Sequence, residues 1–269
     1  MKKIDRILGI CFSPTGGTRH IVEQAVYTLA EQHHLPFCIQ EYTTPTHRSQ
    51  WRNIREGDLV VWGSPVYAGR IPNKTLDFVK QNLHGENNPL VAIAVYGGRH
   101  WDNALIEMSQ LTRRGGMNLV GACAMVSRHV FSDTLGKDRP NDEDLAYMRY
   151  YLRNMDIAHP IHLEDEDKEL DYYQPMREDR KPAKFLKATP QVELSSCSGC
   201  GTCVESCTMG SIRMTDGGPA IEGICIKCMA CVFRCPNNAF KFTDEDFLSH
   251  IRMIEQSCSR NAPLWFAKQ

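Results

Sequence analysis

Eight cysteines in two identically spaced runs dominate residues 197–235 of this 269-residue chain. The runs read Cys197-x2-Cys200-x2-Cys203-x3-Cys207 and Cys225-x2-Cys228-x2-Cys231-x3-Cys235-Pro236. Three thiolates at x2 spacing let one loop wrap one side of a compact inorganic body. A short helical turn then carries the fourth thiolate to a neighbouring body. The spacing therefore implies two [4Fe–4S] clusters. Cys197, Cys200, Cys203 and Cys235 are expected to hold one, and Cys225, Cys228, Cys231 and Cys207 the other. Gly199 and Gly201 suit the wrapping loop, because Gly accepts positive φ and close backbone approach.

Zinc is the competing reading. Zinc sites pair two Cys at short spacing with two further ligands a dozen or so residues on, which is not this pattern. Disulfides are the other competitor. The opening MKKIDRILGI runs straight into a strand-like stretch with no signal segment, so a reducing cytoplasm is expected. One irregularity stands out. The second run ends Cys235-Pro236 but the first ends Cys207-Thr208, so the Pro that would fix φ after the fourth ligand is missing once. The turn after Cys207 is expected to be looser, with no ligand lost. Cys11, Cys38, Cys123 and Cys258 are scattered, three of them in apolar strand-like stretches, and read as buried core thiols.

The net charge of −1 gives no basic field for nucleic acid. No apolar run is long enough to span a bilayer. The length suits two domains. Four divisions are expected: a first unit over 1–160, a charged, Tyr- and Pro-rich linker over 161–190, the cysteine module over 191–243 and a helical tail over 244–269. In the tail, Thr243, Asp244 and Glu245 precede Phe247, Leu248, Ile251 and Ile254 at helical spacing.

The first unit alternates apolar runs with helical patterns. DRILGICF, PFCIQEY, DLVVWG, PLVAIAVYGG and MNLVGACAMV read as five strands. Helices are expected from Gly17 to about Gln32, Asn73 to Asn82 and Asn103 to Arg114. This alternation predicts a parallel α/β sheet covered on both faces, with ligands beyond the C-terminal strand ends. Three loops fall there. Ser13-Pro14-Thr15-Gly16-Gly17-Thr18 offers hydroxyls and helix-start N–H groups to a phosphate. It has neither a Walker Lys nor GxGxxG, which favours a phosphomonoester; the bland alternative is a helix cap. Pro65-Val66-Tyr67-Ala68-Gly69 and Tyr96-Gly97-Gly98-Arg99-His100-Trp101 put aromatics and small residues at the same edge. A planar ring could lie between them, although Tyr67 or Trp101 alone would more often be packing residues.

The order SPTGGT, GSPVYAGRIP, VYGGRHWDNAL resembles the flavodoxin fold. With the Arg139–Asp144 segment before a helix and the tethered cysteine module, the chain resembles the EFR-type flavodoxin/ferredoxin fusion proteins of anaerobic bacteria. The resemblance implies an α/β architecture: a flavodoxin-like five-stranded doubly wound parallel sheet with a C-terminal α+β two-cluster ferredoxin-like domain. It implies FMN beside the two [4Fe–4S] clusters and a role in electron transfer. Ser13, Thr15, Gly16, Gly17 and Thr18 would hold the FMN phosphate. Pro65, Val66, Tyr67, Ala68 and Gly69 would flank the ring on one side, and Tyr96, Gly97, Gly98, Arg99 and Trp101 on the other. Pro14, which has no N–H, departs from common flavodoxins.

Three functions follow from this reading. The first is an electron-transfer flavo-iron–sulfur protein that works with redox partner proteins. The second is a reductase of a small molecule such as a quinone, with Tyr67, Arg99 and His100 as nearby proton-handling candidates; His100 reads equally as a surface residue. The third is a ferredoxin whose first domain docks partners without a flavin.

Overall fold

The apolar runs of the first half become five parallel strands separated by helices. In chain order these are β1 (Arg6–Cys11), α1 (Gly17–His33), β2 (Phe37–Glu41), α2 (Pro45–Ser49), β3 (Asp58–Pro65), α3 (Leu76–Asn82), β4 (Pro89–Tyr96), α4 (Ala104–Arg114), β5 (Asn118–Val126) and α5 (Asp142–Asn154). This computed structural model describes residues 3–165, 167–258 and 262–268. Residues 1–2, 166, 259–261 and 269, which belong to the expected first unit, linker and tail, lie outside the described residues.

The strands lie in the order 2-1-3-4-5, all parallel. That is the flavodoxin-like doubly wound order, with its switch point between β1 and β3. Period-2 alternation sends successive side chains to opposite faces. Leu59 and Val61 of β3 join the α1 and α5 side with Ile21, Val26, Met148 and Leu152. Val60 and Trp62 join the α3 and α4 side with Val79, Leu105 and Met108. Gly63 lets α1 close on the sheet, since a Cβ there would stand 2.3 Å from Val22 Cγ2. Trp62 donates its buried Nε1–H to Tyr42 Oη at 3.1 Å, so the polar edge of the largest core side chain is satisfied. α5 starts on a reciprocal cap between Asn141 and Asp144, with three acids in its first turn favouring the helix dipole.

The cysteine module follows as β6 (Gln191–Val192), α6 (Thr202–Ser206), β7 (Ile212–Thr215), β8 (Gly218–Ile221), α7 (Ala230–Arg234) and β9 (Phe240–Lys241). β6 pairs with β9 and β7 with β8, both antiparallel. Each short helix begins just before the third Cys of its run, so Cys203 sits in α6 and Cys231 in α7.

The tail forms the expected helix α8 (Glu245–Ser257), capped by the Asp244 carboxylate accepting from Phe247 N–H at 2.9 Å. Beyond it lies a strand that the periodicity does not announce. β10 (Trp265–Phe266) returns to the first unit and pairs antiparallel with β5, adding a sixth strand at the sheet edge. A two-residue strand is too short to carry an alternation signal. Covering the β5 edge satisfies backbone groups that would otherwise face solvent. Of the four scattered thiols, Cys11 and Cys123 are buried in central strands. Cys38, on edge strand β2, and Cys258, at the end of α8, are only half-buried.

Candidate functional site

The loop after β1 turns at Gly16, whose φ of 94° starts α1 with no side-chain cap. With no cap from Gly16, the Gly17 and Thr18 N–H groups at the helix start face the loop and suit an anion, whereas that of Arg19 is taken by Ser13. Ser13 is buried; its hydroxyl accepts from Arg19 N–H at 2.9 Å and its own N–H donates to Thr43 Oγ1 at 2.8 Å. A Cβ at Gly17 would stand 2.7 Å from Ser127 Oγ, so a side chain there would force Ser127 or the loop to shift.

A cavity of about 220 Å³ opens at this edge. Its walls include Ser13, Pro14, Thr15, Gly17 and Thr18 from the first loop, Pro65–Ala68 from the second, and Tyr96 and Gly97 from the third. Gly16, Gly69, Gly98, Arg99 and Trp101 stand outside this lining. Trp101 instead packs in the apolar cluster beneath the returning strand, stacked on His100 at 4.4 Å and near Tyr96 and Trp265. Arg99 is ion-paired with Asp102 and lies over the Tyr173 ring at 3.8 Å, one shell back from the cavity. Gly69 approaches Asp102, whose Oδ2 would lie 2.5 Å from an added Cβ. His100 is half exposed and accepts from Asp102 N–H at 2.8 Å. Of the three proton-handling candidates, only Tyr67 lines the cavity, and burial holds its phenol well above its ordinary pKa.

Sequence reasoning misses the other walls. The loop after β5 supplies Ser127, Arg128, His129, Val130 and Phe131. The linker supplies Tyr173, Pro175 and Phe185, and α8 supplies His250. His129 Nδ1 accepts from Phe131 N–H at 3.1 Å. Burial, with His250 and Arg99 nearby, lowers its pKa to about 4, so the ring is neutral near pH 7 and carries its proton on Nε2. The strand-end rule applies to every βα loop, so the SRHVF stretch after the fifth strand is a readable signal. The linker and α8 walls have no such signal, because they arrive through tertiary packing.

One wall comes from the cysteine module itself. Ile226 and Lys227, between Cys225 and Cys228, line the same cavity as the first-unit loops. Lys227 is buried, and its ammonium donates to Leu186 O at 2.6 Å and Cys225 O at 3.1 Å. The two halves also meet where Arg234 Nε donates to Pro14 O at 3.2 Å and Arg48 Nη2 donates to Thr208 O at 2.7 Å. The proline that weakens the phosphate loop as a donor thus offers its carbonyl to the module.

The eight cysteines gather around two smaller cavities. One is lined by Cys207, Cys225, Cys228 and Cys231, and the other by Cys197, Cys200, Cys203 and Cys235. No carboxylate or imidazole joins either lining. An all-thiolate set suits soft iron–sulfur centres. Ser211 N–H donates to Cys207 Sγ at 3.2 Å and Ala239 N–H to Cys235 Sγ at 3.3 Å, the same contact in each half of the repeat. Of the eight, Cys200 is exposed.

Residues 196–240 match the family described as the 4Fe-4S dicluster domain. No curated protein matches the chain. Among solved structures, a flavodoxin from the domain Archaea is 13% identical, with 55% of this chain and 94% of that one covered and a TM-score of 0.40. Oxidised Flavodoxin 2 from Bacillus cereus is 15% identical over 55% of this chain and 94% of that one, with a TM-score of 0.42. The rubredoxin oxygen:oxidoreductase from Desulfovibrio gigas is 12% identical over 58% of this chain and 36% of that one, also with a TM-score of 0.42. The strand order, rather than these distant likenesses, establishes the flavodoxin-like architecture. The chain is a flavodoxin-like α/β unit joined to a 4Fe-4S dicluster domain. No helix among the described residues is long and apolar enough to cross a membrane.

Proposed function

We propose that this chain is an electron-transfer protein in which FMN occupies the inter-domain cavity and two [4Fe–4S] clusters lead from it to a redox partner protein. The observation that carries the reading is the shared wall: the Ile226–Lys227 segment of a cysteine loop faces the same cavity as the phosphate-type loop. FMN exchanges electrons in pairs or singly, whereas each cluster passes one.

The residues fit the group. Thr15 and Thr18, with the uncapped start of α1, suit a phosphate. Val66, Tyr67, His129 and Phe131 offer flat and apolar walls to a ring. The set Cys207, Cys225, Cys228 and Cys231 would hold the cluster nearer the cavity, and the set Cys197, Cys200, Cys203 and Cys235 the outer one. The exposed Cys200 and the 56% exposed Leu194 make the outer cluster's surface the exit towards a partner.

The reductase reading keeps one observation in its favour: His129, His250 and Lys227 bring proton-bearing groups to the cavity wall. Anaerobic purification with cofactor analysis tests both readings. The expected content is about one FMN and about eight iron and eight inorganic sulfide per chain. Iron and sulfide without FMN would leave a ferredoxin with a docking domain and overturn both. Steady-state turnover of a quinone by the holoprotein, with no protein acceptor present, would replace the electron-transfer reading by the reductase one.

A further inference from the structure

The residue in place of the missing proline is buried and turned onto a ligand. Thr208 is 1% exposed, and its Oγ1 lies 3.4 Å from Cys228 Sγ. A cluster-bound thiolate has no proton to give, so the hydroxyl donates. The Thr208 carbonyl meanwhile accepts from Arg48, a half-buried side chain of α2 that also donates to Tyr42 O and Thr43 O.

Lys227 adds a second cation on the same cluster's loop. Among the described residues, no carboxylate stands within ion-pair distance of Arg48 or of Lys227. Cations withdrawn from water need opposite charge close by. Asp244 acts on Lys227 from beyond ion-pair distance; the anionic body expected among Cys207, Cys225, Cys228 and Cys231 is placed to supply the rest.

The outer site is built differently. Its lining beyond the cysteines is Ser198, Gly201, Thr202, Met214, Asn237 and Phe240, with no Lys or Arg. Thr202 Oγ1 does approach Cys200 Sγ at 3.3 Å, but on the exposed surface, where water competes for the same thiolate.

We propose that Thr208, Arg48 and Lys227 raise the reduction potential of the cavity-side cluster above that of the outer cluster, and that Arg48 makes this difference depend on the docking of the first unit. The inference rests on the two-cluster reading above. Gaining one electron adds one negative charge to the cluster and breaks no bond. The electron comes from the flavin or from the outer cluster. Donors and cations around a thiolate stabilise the more negative state and so raise the potential. The cavity-side cluster then becomes the place where an electron rests beside the flavin. These three residues tune the cluster; none is a ligand.

The test is an anaerobic redox titration followed by EPR on the full chain, with Cys200→Ser marking the outer cluster's signal. Thr208→Val is expected to lower the cavity-side potential, moving the electron distribution between the clusters about threefold to tenfold towards the outer one, the scale of one net hydrogen bond. Thr208→Ser keeps the donor and is expected to restore the distribution. Arg48→Met removes the hydrogen bonds to the Thr208, Tyr42 and Thr43 carbonyls but no cluster ligand, and it should shift the same cluster in the same direction, which keeps the question open to measurement if Thr208→Val loses iron. Unshifted potentials, or equal shifts in both clusters, with full iron and sulfide content would overturn the proposal. Absence of two clusters from the unsubstituted chain would overturn the two-cluster reading instead.

Discussion

The two halves of this molecule are held together by different physics. The first half has two continuous apolar layers, one on each face of its sheet, with β3, β4 and β5 almost entirely buried. The cysteine module has an apolar cluster whose buried members are Cys203, Ile212 and Phe240, and one of these is itself an expected ligand. A unit so small cannot offset its conformational entropy by burial alone. Its fold is specified by where thiolates must stand, whereas that of the first half is specified by which side chains must leave water.

The largest effect that would break this comparison is removal of iron. Chelation under anaerobic conditions is expected to abolish the ordered structure of residues 191–243 while the first half stays folded, because ligand binding energy is folding energy in such modules. Hydrogen exchange resolved along the chain checks this. Loss of protection in β3 and β4 together with the module would show that the halves unfold as one.

The converse substitution is in the sheet. Ile93, fully buried in β4, belongs to the layer packed by α1 and α5. Ile93→Ala is expected to cost about 2–5 kcal/mol in denaturant unfolding of the first half. Iron content should be unchanged while the chain remains folded. A loss of iron at low denaturant would mean that the sheet also holds the cysteine loops in place.

Between these extremes lies the shared cavity. Gly17→Ala places a methyl 2.7 Å from Ser127 Oγ. Either the loop or Ser127 must shift, and FMN retention on dialysis is expected to fall at least about tenfold, the scale of one lost charge-assisted hydrogen bond. The clusters, read by their absorbance in the same sample, should be retained. Unchanged FMN content would remove the phosphate-type loop from the site.

The contrast also explains what an amino-acid sequence of this kind reveals. Ligand spacing is a local property, so the sorting of eight cysteines into two sets is legible from the chain alone. A parallel α/β sheet follows from apolar runs alternating with helical periods, while its 2-1-3-4-5 order appears only in the structure. What is not legible depends on distant chain segments. Trp101 follows β4 and so reads as a neighbour of a ring, but the returning β10, two residues long, brings Trp265 against it and makes it a packing residue. Thr208 reads as a lost proline; its contact with Cys228 exists only once the two cysteine runs fold together, and the Arg48 hydrogen bond to its carbonyl only once the halves dock. His129 lies in a loop that the strand-end rule covers but that carries no motif.

The smallest effect sharpens the comparison at that histidine. Its pKa is held down to about 4, first by burial and then by His250 and Arg99. Above about pH 6.5, the ordinary value for His, both folded and unfolded chains carry the neutral ring and its contribution does not vary with pH. As pH falls below that value, the unfolded chain takes up a proton that the folded chain refuses, so stability declines until the folded ring also protonates near pH 4. Over the single unit from about pH 6.5 to 5.5 the loss is at most about 1.4 kcal/mol. Denaturant unfolding of the first half, followed by its tryptophan fluorescence in the holoprotein at those two values, measures it. His129→Gln keeps a hydrogen-bonding side chain without a titrating ring and should flatten most of the decline. His250 is also lowered by burial and leaves a smaller residual slope. If the slope is unchanged in His129→Gln, the pH sensitivity of the first half lies with other groups, and the cavity does not hold this ring neutral.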